Sequence, residues 1–293
     1  MRDTGLTAPF EAARPRLRAV AYRMLGSVDD AEDAVQEAWL RLNRDTGGSD
    51  KIYDNIDAWL TTVVARICLN MLRARRARRE EALVDRLPDP IVDPPGDVDP
   101  EHQALLADSV GVALFVVLDT LPPDERLAFV LHDVFAVPFD EIAPIVDRTT
   151  EAARKLASRA RHRIQQTRSQ PDRDVAAQRE IVEAFFAAGR AGDFERLVSV
   201  LHPDVVLRGD FGGQRVRVVS GADAVAGQAK LYGGPDRQVR PATINGAAGA
   251  VIFVDNRPVS VMAFVVADGK ITAIDVLADR ARIAGLDLSA VAG

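Results

Sequence analysis

In the stretch NIDAWLTTVVARICLNMLRARRARR (Asn55–Arg79), Thr62, Arg66, Asn70 and Arg73 recur at three- and four-residue intervals. On a helix this spacing lines hydrogen-bond donors and fixed positive charge along one side. The stretch closes on five arginines, Arg73, Arg75, Arg76, Arg78 and Arg79. Cations at a helix C-terminus complement the macrodipole, but five exceed what capping needs. The chemistry that fits is binding of a phosphate backbone, with Trp59 available to stack on a base. The plainer alternative is an amphipathic helix with a solvated basic end. A second set, Arg154, Lys155, Ser158, Arg159, Arg161 and His162, falls in TTEAARKLASRARHRIQQ at spacings that give one outward face. A third set could move protons: His202, Asp204, Asp210, Tyr232, Asp255 and Asp275.

These residues need elements to hold them. Ile56, Trp59, Leu60, Val63, Val64, Ile67 and Met71 predict the buried face of the first basic helix. Before it, Phe10–Leu25 reads as a helix with Phe10, Val20, Ala21 and Leu25 inward, broken at Gly26-Ser27. Ser27 or Asp29 then caps SVDDAEDAVQEAWLRL, whose Ala31, Ala34, Val35, Ala38, Trp39 and Leu42 face a core. The acids crowding its first turns suit the helix dipole and also offer a polar surface for a protein partner. After Arg79 the character changes: residues 80–108 hold nine acids against one base, Arg86, with four prolines between Pro88 and Pro95. Neither a regular helix nor a central strand fits its first two-thirds.

Helical periodicity returns over Ser109–Gln166: SVGVALFVVLDTL, ERLAFVLHDVF, PFDEIAPIVD, and the second basic helix, capped by Thr149 or Thr150. A short helix, a tight turn and a basic helix with Leu156, Ala160 and Ile164 inward follow helix-turn-helix grammar. Past the polar joint TRSQPDRD, two helices are expected, the first burying Ile181, Val182, Phe185 and Phe186, the second Phe194, Leu197, Val198, Val200 and Leu201. DVVLRGD, RVRVVS, GAVIFVD, PVSVMAFVVADGK and ITAIDVLAD then read as strands, with Asp268-Gly269 a hairpin turn. Helices followed by a curved sheet predict an α+β cone around a cavity, which Asp275 would face.

The 293 residues suffice for two or three domains, and 47% hydrophobic with 27% charged residues is a globular composition. A net charge of -6 argues against a uniformly basic nucleic-acid binder, but the charge is blocked by segment. The one cysteine, Cys68, excludes a disulfide framework and fits a reducing compartment. The N-terminus lacks the apolar core of a signal peptide, and no apolar run approaches a membrane span, so a cytoplasmic location is expected. No P-loop, dinucleotide fingerprint, zinc spacing or nucleophile elbow occurs, and no cofactor or metal is expected.

AYRMLGSVDDAEDAVQEAWLRL followed by DAWLTTVVARICLNMLRARRARR resembles region 2 of the extracytoplasmic-function (group IV) sigma factors. LPPDERLAFVLHDVFAVPFDEIA with the helix after it is similar to sigma region 4. The C-terminal part looks like the SnoaL or NTF2-like fold, and the combination resembles the sigma-J-type subgroup. The fold class implied is multidomain: two all-α sigma domains, a region 2 helical bundle and a region 4 helix-turn-helix, then an α+β NTF2-like (SnoaL-like) cone. Its divisions would be 8–79, an acidic Pro-rich linker 80–108, 109–168 and 174–293.

By this resemblance, Asp30, Asp33, Gln36, Glu37 and Arg41 dock on the beta-prime clamp helices of core RNA polymerase. Trp59, Thr62, Arg66, Asn70, Arg73, Arg76 and Arg79 hold the −10 strand of promoter DNA, with loop Asn43–Asn55 beside them. Region 4 reads the −35 element and meets the beta flap. The linker threads the RNA path of polymerase. A fused domain of this kind stands in for a separate anti-sigma factor. Where the subgroup carries DGGGK, WLPEP and NPDKL motifs, this chain has Asp210-Phe211-Gly212-Gly213-Gln214, a tryptophan-less Asp85–Pro90 including Leu87 and Pro88, and Leu277–Ala281. The competing interpretation is a DNA-tethered ligand-binding or isomerase-type protein acting through the cone. The third part, with thirteen bases and fourteen acids from Asp174 onward, has little reason to touch DNA. It is expected to pack on the helical pair or the acidic linker.

Overall fold

A computed structural model describes residues 6–46, 55–81, 87–96, 118, 121–166, 172, 174–212, 216–229, 234 and 236–291. The chain forms two compact units, one from its two helical segments and one from residues 87–96 with the C-terminal part.

In the helical unit, α1 (Thr7–Leu25) ends where Gly26 turns left-handed at φ +70° and its N–H bonds Tyr22 O at 2.8 Å. Ser27 Oγ then accepts from Asp30 N–H at 3.3 Å, so Ser27 rather than Asp29 caps α2 (Val28–Thr46). Asn55 Oδ1 caps α3 (Ile56–Glu81) by accepting from Ala58 N–H at 3.0 Å. Leu17, Val20, Ala21 and Met24 of α1 are buried, as are Ala34, Val35, Ala38 and Leu42 of α2. The buried stripe of α3 corrects the expected one. It runs through Leu60, Thr61, Val64, Ala65, Ile67, Cys68 and Leu69, while Ile56, Trp59, Val63 and Met71 are half-buried. Thr61 can sit inside because its Oγ1 donates to Asp57 O at 2.8 Å. Trp39 is half-buried and packs on Phe10 with ring centroids 4.7 Å apart.

The second helical segment opens with α4 (Pro123–Phe129), whose proline at the first turn suits a helix start. It widens into a π turn, Val130–Val134, closed by Phe135 N–H to Val130 O at 3.2 Å. Next come α5 (Phe139–Ile142), a turn with Asp147 at φ +55°, and α6 (Thr150–Gln166). Thr149, not Thr150, caps α6 through Ala152 N–H at 3.2 Å. Ala153, Leu156, Ala157 and Ala160 are buried and Ile164 half-buried, so the small residues at the start of this helix are packing residues. Apart from Leu118 and Leu121, the apolar stretch expected as a helix before Pro122 lies outside the described residues.

In the α+β unit a seven-stranded sheet runs β1-β4-β5-β6-β7-β2-β3. Its strands are β1 (Val92–Asp93), β2 (Leu201–Asp210), β3 (Arg217–Ser220), β4 (Arg237–Ile244), β5 (Ala247–Val254), β6 (Arg257–Ala267) and β7 (Lys270–Leu277). Only β2 and β7 pair parallel. The turns Asn245-Gly246, Asp255-Asn256 and Asp268-Gly269 each have two successive positive φ angles, the twist that closes two-residue hairpins. On the inner face, Leu207, Ile252, Met262, Phe264, Ile274 and Val276 meet Val182, Phe185 and Phe186 of α7 (Val175–Ala191). Leu197 of α8 (Phe194–Val200) and Val225 of α9 (Ala222–Ala229) join them. Phe194, expected inward, is 39% exposed because it opens its helix. The outer face carries Ile244, Phe253, Val261 and Leu277 under Ile283 of α10 (Arg280–Ala284), Leu288 and Val291. β1, β4, α9 and α10 are additions to the expected elements.

Candidate nucleic-acid interface and linker clamp

Burial of one face of α3 forces the other outward. Arg66, Asn70, Arg73 and Arg76 are exposed, with Thr62 and Trp59 half-buried. The side chain of Arg79 lies outside the described residues, as does most of the loop Asn43–Asn55. Arg75 turns back, donating to Asp30 and to Leu25 O, so within the basic run it acts structurally. Arg66 Nη2 donates to Pro144 O at 3.0 Å, and Arg73 Nε and Nη2 both reach Asp124 Oδ1, at 3.2 and 2.9 Å. Arg73 and Arg76 share a cleft of about 520 Å³ with Pro122, Asp124, Arg148 and Arg159.

On α6, Arg154, Lys155, Ser158, Arg159, Arg161 and His162 are all exposed on one side. Lys155 pairs with Glu151 at 2.6 Å, Arg161 with Asp133 at 3.2 Å, and Arg159 lies 3.7 Å from Glu125. Arg154 sits over the Phe139 ring at 5.9 Å. On α2, Asp33, Gln36 and Arg41 are exposed. Arg41 Nε donates to Glu37 Oε1 at 2.9 Å and, with Arg44, holds that carboxyl below its ordinary pKa. Asp30 is half-buried and bonded inward to Arg75. Cys68, wholly buried in α3, is pushed by desolvation from 9.0 up to about 12, against a smaller opposing pull from Arg126. Its thiol is therefore a packing group.

The second constellation was only half visible in the sequence. Arg282, on α10, donates from Nη1 to Asp210 Oδ2 at 2.6 Å, from Nε to Asp89 Oδ1 at 3.1 Å and from Nη2 to Leu87 O at 2.7 Å. One guanidinium thus joins the sheet to the acidic linker, using the fork geometry that lysine lacks. Leu87, Pro88, Pro90, Ile91, Val92 and Asp93 are buried, so this part of the linker is not a solvated spacer. Asn245 completes the hold: its N–H donates to Ile91 O at 2.9 Å and its Oδ1 accepts from Ile91 N–H at 2.6 Å. Val92 and Asp93 then pair antiparallel with Ile244 and Thr243. Asp210 also accepts from Gly212 N–H at 3.1 Å, and Gly212 has φ +79°. A Cβ there would lie 3.2 Å from Asp279, the residue that caps α10. Gly213 lies outside the described residues. Arg282 itself was missed, although it follows the Leu277–Ala281 motif by one position.

Among the described residues the proton-transfer candidates make no contact with one another in a shared site. Asp275 corrects the expectation that it faces the cone interior. Ile274 and Val276 belong to the inner core, and side chains alternate along a strand, so Asp275 points to the outer face. There Arg208 binds it with two hydrogen bonds, 2.6 and 3.0 Å long. His202 Nδ1 accepts from Asp204 N–H at 3.1 Å, a local contact at the start of β2, and Asp255 is in the hairpin after β5. Tyr232 lies outside the described residues. Among the described residues no cluster of three or more His, Cys, Asp or Glu could hold a metal, and no helix is long and apolar enough to cross a membrane.

The two basic helices lie in segments that match known families. The family model for sigma-70 region 2 matches residues 10–78 and that for sigma-70 region 4 matches residues 112–164. The chain belongs to the extracytoplasmic-function RNA polymerase sigma factors, which bind core RNA polymerase and promoter DNA. It is similar to the ECF RNA polymerase sigma factor SigJ of Mycobacterium tuberculosis, at 41% identity over 95% of this chain and 93% of that one. The crystal structure of the M. tuberculosis extracytoplasmic function sigma factor SigJ superposes with a TM-score of 0.74 and 38% identity, covering 96% of this chain and 99% of that one. The sigma factor SigG of the same organism is 30% identical over 70% of this chain and 61% of its own length.

Proposed function

We propose that the outward faces of α3 and α6 are the promoter-binding surfaces of this sigma factor. Trp59 stacks on or wedges beside an extruded base, Thr62, Arg66 and Asn70 hydrogen-bond to the −10 strand, and Arg73, Arg76 and Arg79 hold its phosphates. Arg154, Lys155, Ser158, Arg159, Arg161 and His162 approach the −35 element through the major groove. Asp33, Gln36, Glu37 and Arg41, with Asp30 beneath them, meet the beta-prime clamp helices, and region 4 meets the beta flap. The observation that supports this most is that each helix buries one face and leaves a continuous basic face outward, on two separate helical segments of one chain. The functional divisions are 8–79, 80–108, 109–168 and 174–293, and the protein acts in the cytoplasm.

The C-terminal domain acts as a regulator rather than an enzyme, through Arg282, Asp210, Gly212 and Gly213 on its side and Leu87, Pro88 and Asp89 on the linker. It holds the linker stretch that would otherwise enter the RNA path of polymerase, in place of a separate anti-sigma factor. Run-off transcription by core polymerase with the full chain tests both parts. Trp59→Ala and Asn70→Ala are expected to bind core normally and open the promoter poorly by permanganate reactivity. Arg282→Ala is expected to raise transcript yield. Permanganate reactivity equal to wild type refutes the −10 assignment, and unchanged yield with Arg282→Ala refutes the clamp.

A further inference from the structure

We propose that α6 divides its outward side into two jobs, an inference that rests on the −35 role proposed above for this helix. Arg161 and Arg163 grip the phosphates on either side of the major groove, and Lys155, Ser158 and His162 read base edges between them. The buried residues Ala153, Leu156, Ala157 and Ala160 mark the inward direction. At about 100° per residue, Lys155, Ser158 and His162 then point away from the core. By the same count Arg161 turns to one flank and Arg163 to the opposite one. A helix with its side chains is about 10–12 Å across, and the major groove is about 12 Å wide. Seated there, α6 presents its far side to the bases and its two flanks to the sugar-phosphate walls. Arg163, outside the set assigned to DNA above, thereby becomes a phosphate contact.

Each flanking arginine is aimed by an acid from the element beneath. Arg161 Nε lies 3.2 Å from Asp133 Oδ1 of the π turn, and Arg163 Nε lies 3.2 Å from Glu125 Oε2 of α4. The arginine side chains are 44% and 55% exposed, their acids only 23% and 5%. Contact through Nε, the guanidinium nitrogen nearest the backbone, sets the direction in which the terminal nitrogens leave the helix. An arginine fixed in this way gives up less rotamer freedom when it meets a phosphate. Arg159, 3.7 Å from the same Glu125 carboxylate, lies between flank and centre. Lys155 is held differently: its partner Glu151 belongs to α6 itself and is 75% exposed, so the pair opens easily toward a base. Glu125 and Asp133 are thus positioning residues, and their own charge works against DNA binding while their placement serves it.

The test measures holoenzyme binding by fluorescence anisotropy, on a promoter fragment mapped by run-off transcription and on fragments carrying single-base changes across its −35 element. Arg163→Ala is expected to weaken binding to every fragment by the same factor. The advantage of wild type over this variant should shrink about threefold between about 50 and 200 mM salt, as for one lost phosphate contact. Lys155→Ala and Ser158→Ala should instead relax the preference at single −35 positions. Glu125→Gln should weaken binding about twofold when Arg163 is present and have no effect on top of Arg163→Ala. Equal losses from Glu125→Gln in both backgrounds would mean a purely structural acid and overturn the positioning role. A change of base preference with Arg163→Ala, or no change in binding while Lys155→Ala weakens it, overturns the division of labour and leaves the −35 role of α6 standing. Binding untouched by any of these variants removes that role, and the inference with it.

Discussion

The two units use arginine in opposite ways. In the helical unit, Arg73 and Asp124 pair at 43% and 24% exposure, and Arg41 and Glu37 at 44% and 38%. In the α+β unit, Arg208 and Asp275 pair at 19% and 5%, and Arg282 and Asp210 at 15% and 5%. Exposed pairs contribute about 0.2–1 kcal/mol and exchange partners easily, whereas removing one member of a buried pair strands a charge and costs about 3–5 kcal/mol. The outer pairs of the helical unit are therefore wired for handing cations to another molecule, while Arg75 and Arg126 hold its interior and the pairs of the α+β unit keep hold of what they already have.

The contrast breaks first, if it is wrong, at Asp275. Asp275→Ala leaves Arg208 unpaired on the outer sheet face and is expected to destabilise the fold by about 3 kcal/mol in urea melts. A loss under about 1 kcal/mol would place this pair in the exchangeable class. Arg282→Ala comes next. Asp210 is as buried as Asp275 but keeps the Gly212 N–H as a partner, and Asp89 is 22% exposed, so a loss of about 2 kcal/mol is expected, together with faster hydrogen exchange at Ile91, whose N–H bonds Asn245. Protection at Ile91 that survives Arg282→Ala would shift the hold on the linker to Asn245 alone.

Cys68 sharpens the comparison from inside the helical unit. Its folded pKa, about 12, exceeds the ordinary 9.0, so above pH 9 the unfolded chain gives up a proton that the folded one keeps. Stability then falls as pH rises between these values, by up to about 1.4 kcal/mol per pH unit. Cys68→Ala should flatten that slope, and native protein at pH 8 should resist iodoacetamide that labels it in urea. The smallest effect belongs to Arg73→Ala. Stability should change by less than about 1 kcal/mol, while the salt dependence of holoenzyme binding loses about one phosphate contact. A large stability loss would mean that this pair, like those of the α+β unit, is built to hold.

Legibility in the sequence followed the same division. Helices with one apolar face announce themselves by period, and the outward stripes on α3 and α6 were found because burial of one side dictates the other. The buried stripe of α3 was misjudged by a fraction of a turn, since Thr61 and Cys68 do not look apolar and Trp59 does. In the cone, hydrophobic alternation marked β5, β6 and β7. It failed on β4, where Arg237, Arg240 and Pro241 mimic a loop, although Asn245-Gly246 beyond it is a hairpin signal. Pairing of Val92 and Asp93 with β4 joins residues about 150 positions apart, and Arg282 with Asp89 spans 193. No local pattern encodes such partners.

That pairing has a consequence for solubility. A sheet edge with free N–H and C=O groups recruits other strands unless charge or proline guards it. Along β4, Arg237, Arg240 and Pro241 stand guard, but the far end, Thr243 and Ile244, has no such sentinel and is covered by the linker instead. The linker is therefore also an insulator against self-association. Whatever draws it away uncovers a short adhesive end, and the uncovered protein becomes one whose lifetime as a monomer depends on its concentration.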